Sequence, residues 1–235
     1  MSAEFRPVLK FIVKNRPGLK KIAIIFKEMS PSSSLNLAAI AFDLGNVLVR
    51  ADHFRFCRPL AILAGLTPDE VYARIFGSDL EPGYDTGRLS SEEFYRRIMT
   101  AFGLALPYPR FCALWNDIFA PLEVMEETVA RLAARYPLYL LSNTNPLHFQ
   151  YIKEQYSPLL RHFRRFILSY EVGSRKPEAA IFQALIREMG ETPARCLYLD
   201  DLPPFVEAAR SHGLAAWHFT SPGDFHRKLT EYSLW

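Results

Sequence analysis

The sequence lacks the marks of a membrane, disulfide-stapled or zinc-binding protein. Its 235 residues hold only three cysteines, Cys57, Cys112 and Cys196, widely spaced and odd in number. No C-x-x-C pair and no H-x-x-x-H pair occurs, so no cysteine or histidine metal site is indicated. The cysteines read as small buried hydrophobes in a reducing, cytoplasmic setting. No apolar run approaches the roughly 20 residues of a membrane-spanning helix. A strong charge of one sign is missing too, since the formal net charge is only +3. That excess belongs to residues 1–34, which carry seven Lys/Arg against Glu4 and Glu28. The rest is near neutral, which gives no electrostatic case for nucleic acid. No internal repeat is visible.

What the chain has is an ordinary globular composition, 49% hydrophobic and 23% charged, with length enough for a full core. Three readings compete for residues 1–34: a basic amphipathic arm, a targeting segment, or a poorly ordered extension. The third is preferred, because Ser30-Pro31-Ser32-Ser33-Ser34 reads as a linker and Ala38 already opens a core strand. From Ala38 to Phe42 the run is apolar, and Asp43, Gly45 and Asn46 end it. Helical signals follow, with Thr67-Pro68-Asp69-Glu70 and Ser90-Ser91-Glu92-Glu93 as N-terminal caps and a third helix over 107–119. Nothing over 54–119 reads as a strand. His53 is given a surface role, and Phe94, Phe102, Phe111 and Trp115 form the core of this helical segment.

After residue 122 strands and helices alternate. Strands are predicted over 138–141, 165–169, 196–199 and 215–219, and helices over 123–135, 146–156, 178–189 and 203–212. The pattern is α/β: a Rossmann-like parallel sheet flanked by helices, with an inserted all-helical segment. Ligands of such sheets bind at the carboxyl ends of the strands. Three of those ends are polar: Asp43, Ser142-Asn143 and Asp200-Asp201. A fourth strand is followed by Arg175-Lys176. Singly, each has a plain structural reading: a turn serine, a surface lysine, a helix-capping aspartate. Gathered at one sheet edge they make a hard oxygen site suited to Mg²⁺, with hydroxyl and ammonium donors for a phosphoryl group. A carboxylate beside Mg²⁺ can then attack phosphorus.

Four stretches resemble, in order, the motifs of the haloacid-dehalogenase-like (HAD) hydrolase superfamily. They are Asp43-Leu44-Gly45-Asn46-Val47, Ser142, Lys176 before Pro177, and Leu199-Asp200-Asp201. Gly87-Arg88-Leu89-Ser90 and Leu141-Ser142-Asn143-Thr144-Asn145 are similar to the helical-cap branch that includes sugar-phosphate phosphatases and the epoxide hydrolase N-terminal phosphatase domain. The resemblance covers residues 38–225. It implies a core over 37–50 and 121–235, a helical cap over 51–120, and an N-terminal extension over 1–36. It makes Asp43 the nucleophile and a Mg²⁺ ligand, the Gly45 carbonyl a second ligand and Asp201 a third, with Asp200 in support. Ser142 and the backbone or amide of Asn143 bind the phosphoryl group, and Lys176 neutralises Asp43 and the transferring charge. The implied reaction is Mg²⁺-dependent hydrolysis of a small phosphorylated metabolite through an aspartyl-phosphate. The cap selects the substrate, with Tyr84 and Arg88 as candidates to face the site.

Two positions depart from the family pattern. Phosphatases of the superfamily usually carry a second acid two residues after the nucleophile, where this chain has Gly45. Asp52, nine residues past Asp43, is the candidate replacement proton donor; its plainer reading is a helix cap before His53-Phe54. Phe205 stands where the family often has Asp or Asn near the metal waters. A chain with no positioned acid is expected to favour easy leaving groups, such as a sugar 1-phosphate. Two alternatives stay open: a metal-free dehalogenase of the same fold, and a HAD-like binding protein with little turnover because of Gly45 and Phe205. The Asp200-Asp201 pair argues against the first, and the retained Asp43, Ser142, Lys176 and Asp201 against the second.

Overall fold

A computed structural model describes residues 36–235. The basic extension, apart from Asn36, lies outside the described residues. Among the described residues seven strands occur in chain order: β1 (Ala39–Phe42), β2 (Val49–Ala51), β3 (Phe119–Pro121), β4 (Leu138–Ser142), β5 (Phe163–Leu168), β6 (Cys196–Asp200) and β7 (Ala215–His218). Five of them form one parallel sheet in the order β5-β4-β1-β6-β7. β1 lies at its centre, with Phe42 opposite Leu140 of β4 and Leu199 of β6.

The sheet is covered on both faces, which is why its strands read as continuous apolar runs rather than alternating ones. Ile40 and Phe42 pack on one face with Met125, Val129, Ile152 and Phe225. Those residues come from helices Val124–Ala133, Pro146–Gln155 and Pro222–Glu231. Ala39 and Ala41 face the other side, against Ile181, Phe182, Leu185 and Val206 of helices Ala179–Met189 and Pro203–Ser211. Cys57 and Cys196 are buried, and all three cysteines are free. Among the described residues no helix is long and apolar enough to cross a membrane.

Between β2 and β3 the chain builds a helical layer with its own core. Phe94, Phe102, Phe111 and Trp115 meet there, as expected from the sequence, and Phe56 joins them. Its helices are Phe54–Ala64, Pro68–Phe76, Leu80–Asp85, Ser91–Phe102 and Tyr108–Asn116. The capping box forms: Thr67 Oγ1 accepts from the Glu70 N–H at 3.3 Å, and Glu70 accepts from the Thr67 N–H at 2.8 Å. The layer leaves and rejoins the sheet through the antiparallel pair β2–β3. β3 begins at Phe119, inside the stretch expected to lack strands. Three residues are too few for a period-two signal, and Pro121 at its end further masks it.

Gly87 fixes where the Leu80–Asp85 helix sits. Its φ is +69°, and a Cβ there would lie 2.5 Å from the Tyr170 carbonyl oxygen. Gly103 has a similar φ of +64° but open space around it. Gly103→Ala should therefore cost only the left-handed strain, about 1–2 kcal/mol. Gly87→Ala adds a backbone clash of about 1–3 kcal/mol. Urea denaturation of the two variants checks this, and equal costs would contradict it.

Candidate active site

The carboxyl ends of β1, β4 and β6 converge, and the loop after β5 closes over them. Asp43 follows β1, its backbone N–H donating to the Leu199 carbonyl of β6 at 2.8 Å. Ser142 is the last residue of β4 and Asp200 the last of β6. Lys176 comes in from the loop, nearly fully buried at 2% exposure. Its Nζ donates to Asp43 Oδ1 and Asp200 Oδ2, each at 2.7 Å, and to the Tyr198 hydroxyl at 3.0 Å. The Phe205 ring lies 5.0 Å from the same ammonium. Phe205 thus contributes a cation–π contact where the sequence comparison expects a polar side chain.

One ammonium faces three carboxylates. Oxygens of Asp43, Asp200 and Asp201 all lie within 4.8 Å of one another. Burial, ahead of the Asp200 charge and against the pull of Lys176, raises Asp43 to about 7. Burial and Asp200 likewise raise Asp201. Burial works against the Lys176 charge, but Asp43 and Asp200 outweigh it and hold the ammonium protonated. This all-oxygen, net-negative donor set fits a hard divalent cation. Asp200 is the least available of the three as a ligand. Its Oδ2 also accepts from the Tyr198 hydroxyl, and its Oδ1 accepts from the Leu202 N–H at 2.9 Å. It braces Lys176, whereas Asp201 faces the cavity.

Two other expected site residues sit differently from the sequence reading. The Asn143 side chain grips the Lys176 backbone: Oδ1 accepts its N–H at 2.7 Å and Nδ2 donates to its carbonyl at 3.1 Å. That amide is occupied, which leaves the Asn143 backbone as its contribution. Asp52 is not brought to the cavity. It is exposed, accepts from the Phe54 N–H at 2.9 Å and lies 3.5 Å from Arg58, so it caps the helix start.

A cavity of about 330 Å³ opens above these groups. Asp43, the Gly45 segment, Ser142, Lys176 and Asp201 form its floor, and Phe205 lines it as well. Its roof comes from the helical layer and includes His53, Tyr72, Phe76, Glu81, Asp85 and Trp115. Tyr84 and Arg88 are absent from that roof. The Tyr84 ring is fully buried against Phe94 and its hydroxyl is 2.7 Å from Ser91 Oγ, while Arg88 turns back to Thr86. His53 is a roof residue rather than a surface one. Its Nδ1 is buried without a partner among the described residues, and burial holds its pKa down.

Asn145 ties roof to floor. Its Nδ2 donates to Asp85 Oδ1 at 3.1 Å and lies 3.1 Å from His148 Nδ1. Its Oδ1 accepts from Trp115 Nε1 at 3.3 Å and from the His148 N–H at 3.1 Å. His148 Nε2 is 3.0 Å from the Trp115 carbonyl, which makes that nitrogen the donor in this network. Burial pushes His148 down to about 3, so the ring is neutral at ordinary pH. Arg175 Nη1 reaches Glu81 at 2.8 Å, a second link between floor and roof. The Pro82-Gly83 pair in the short Leu80–Asp85 helix hid Glu81 and Asp85 from sequence reading, because those residues ordinarily mark a turn.

These motifs define a site of strand-end carboxylates on a parallel, Rossmann-like sheet. The family model for haloacid dehalogenase-like hydrolases matches residues 37–213, and the chain belongs to that family. A D-ribitol-5-phosphate phosphatase of Bacteroides thetaiotaomicron is 24% identical over 197 residues, covering 81% of this chain and 96% of that protein. A HAD family enzyme of the same organism superposes with a TM-score of 0.69 at 22% identity, covering 79% and 96% of the two chains; it was crystallised with magnesium and inorganic phosphate. A predicted HAD-like hydrolase of Porphyromonas gingivalis superposes at 0.71 with 25% identity, covering 83% and 96%.

Proposed function

We propose that the chain is a Mg²⁺-dependent phosphomonoester hydrolase, with Asp43 as nucleophile and a small phosphorylated sugar or sugar alcohol as substrate. The observation that carries this reading is the Lys176 ammonium, 2.7 Å from both Asp43 and Asp200, with Asp201 alongside. Such a site keeps a carboxylate unprotonated only with further positive charge beside it. Asp43, the Gly45 carbonyl and Asp201 would hold Mg²⁺, which when bound neutralises phosphoryl oxygens and keeps Asp43 ionised. Ser142 Oγ and the Asn143 backbone N–H bind phosphoryl oxygens. Lys176 holds Asp43 in place and offsets charge as phosphorus is attacked. Asp43 becomes an aspartyl-phosphate, and water then releases phosphate from it.

In this reading residues 37–50 and 121–235 are the catalytic core and residues 51–120 the cap that selects the organic group. The curated relative's name supports a sugar-alcohol phosphate, and the aromatic and carboxylate roof suits a hydroxylated chain. The test is phosphate release from a panel that includes D-ribitol 5-phosphate and a sugar 1-phosphate, with Mg²⁺ or with EDTA. Release that needs Mg²⁺ is expected. Halide release from a 2-haloacid in EDTA, or no phosphate from any substrate, would overturn it.

A further inference from the structure

Phosphoryl transfer from an alcohol needs a proton for the departing oxygen, and the floor of this site does not supply one. Gly45 has no side chain. A Cβ there would meet only the Ala51 Cβ, at an ordinary 3.6 Å. Lys176 is shared among Asp43, Asp200 and Tyr198, and Asp52 faces solvent. The donor must therefore come from the roof.

We propose that Asp85 is that donor, a role that rests on the phosphatase reading above. Asp85 lines the same cavity as Asp43 and is only 3% exposed. It is anchored by Asn145, three residues beyond Ser142, and shares the cavity lining with Ser142 as well as Asp43. The nearby cations are engaged elsewhere: Arg175 with Glu81, and Lys176 with Asp43 and Asp200. Glu81 and Asp85 sit four apart on one short helix, and among the described residues Glu81 is the one of the two that is ion-paired. Two adjacent carboxyls with one cation settle as one carboxylate and one carboxylic acid. Burial and the Glu81 charge raise Asp85 well above the usual carboxylate range, in keeping with that division.

The steps balance. An Asp43 carboxylate oxygen forms a bond to phosphorus while the bond from phosphorus to the substrate oxygen breaks. That oxygen takes the Asp85 proton and leaves as the alcohol. Asp85, now a carboxylate beside the Asn145 amide, then accepts a proton from the water that attacks the aspartyl-phosphate. Phosphate and the Asp43 carboxylate are released, and Asp85 is an acid again.

The groups facing Asp85 are Glu81 on its own helix, Arg175 on the Lys176 loop and Asn145 at the cap of helix Pro146–Gln155, with His148 and Trp115 holding Asn145 in turn. His148 stays neutral, so the alkaline limb of activity belongs to Asp85. The experiment compares an alkyl phosphate, D-ribitol 5-phosphate, with 4-nitrophenyl phosphate, whose phenolate leaves without a proton. For the wild type, kcat/KM on the alkyl ester should fall at alkaline pH where that on the aryl ester does not. Asp85→Asn should lower kcat/KM about 10²–10³-fold on the alkyl ester and less than about threefold on the aryl ester. On the aryl ester the variant should release one equivalent of phenol in a burst and then turn over slowly.

Equal losses on both esters with no burst would mean that Asp85 only positions the cap, and would overturn the assignment. So would matching alkaline limbs in the wild type, a measurement that stands even if the variant fails to fold. If the wild type hydrolyses neither ester with Mg²⁺, the phosphatase reading itself has failed.

Discussion

Asp43→Asn is expected to lower phosphate release by about 10⁴-fold or more, because an amide oxygen is a poor nucleophile. The same substitution should behave in the opposite sense toward stability. In the folded chain Asp43 lies in a buried site with Asp200 and Asp201, and its pKa rises from 3.8 to about 7. A carboxylate raised on folding binds its proton more tightly in the folded state. Its effect on stability is therefore nil below about pH 4, and a penalty builds as pH climbs through the window up to about 7. Asn carries no such penalty. In EDTA, stability of the variant relative to wild type should increase between pH 4 and 7, by at most about 1.4 kcal/mol per pH unit. Urea denaturation at pH 5 and pH 8 checks this. A difference that does not change with pH would mean that the Asp43 charge is already compensated without metal.

Lys176→Met is expected to have the largest structural effect of any single change at the site. The ammonium is the partner of two carboxylates and a tyrosine hydroxyl, and its side chain is almost completely buried. Methionine fills similar volume but leaves Asp43 and Asp200 without a counter-charge. Breaking a buried ion pair from one side costs about 3–5 kcal/mol. Phosphate release should fall about 10²–10³-fold, the usual cost of one positioned donor to transferring charge. Mg²⁺ should stabilise the variant more than the wild type, since a bound cation then meets more uncompensated charge. Urea melts with EDTA and with Mg²⁺ read both effects. A variant as stable as wild type in EDTA would show that the buried carboxyls need no lysine counter-charge.

How much of this was legible beforehand depended on the element. Ala38 to Phe42 is apolar throughout, and such a run broken by Gly45 and Asn46 reads as a buried strand, but Asp43 alone reads as a cap or turn acid and gains a functional reading only from the other strand ends. The same holds for β4 and β6, so the floor of the site could be read from three strand ends and the lysine loop. Side-chain direction was not legible. Asn143 follows Ser142 as a family motif predicts, yet its amide is spent on the backbone of Lys176, thirty-three residues away. The roof was legible only as a helical layer. Its core aromatics follow helical spacing, but Glu81 and Asp85 lie around a Pro-Gly pair, and no local pattern separates a cavity-facing His53 from a surface one. Asp52 and Asp85 are both acids near helix ends. Only the packing of Asn145 against the helical layer decides which of them meets the cavity.

The most direct test of the account is chemical trapping of the intermediate. The wild-type chain is mixed with Mg²⁺ and D-ribitol 5-phosphate, or with the best substrate of the panel. It is quenched before steady state, reduced with borohydride and mapped by mass spectrometry. An aspartyl-phosphate is reduced to homoserine, so the account predicts homoserine at position 43, dependent on substrate and Mg²⁺ and absent from Asp43→Asn. Continuing phosphate release with position 43 unmodified, or modification at another carboxylate, would contradict it.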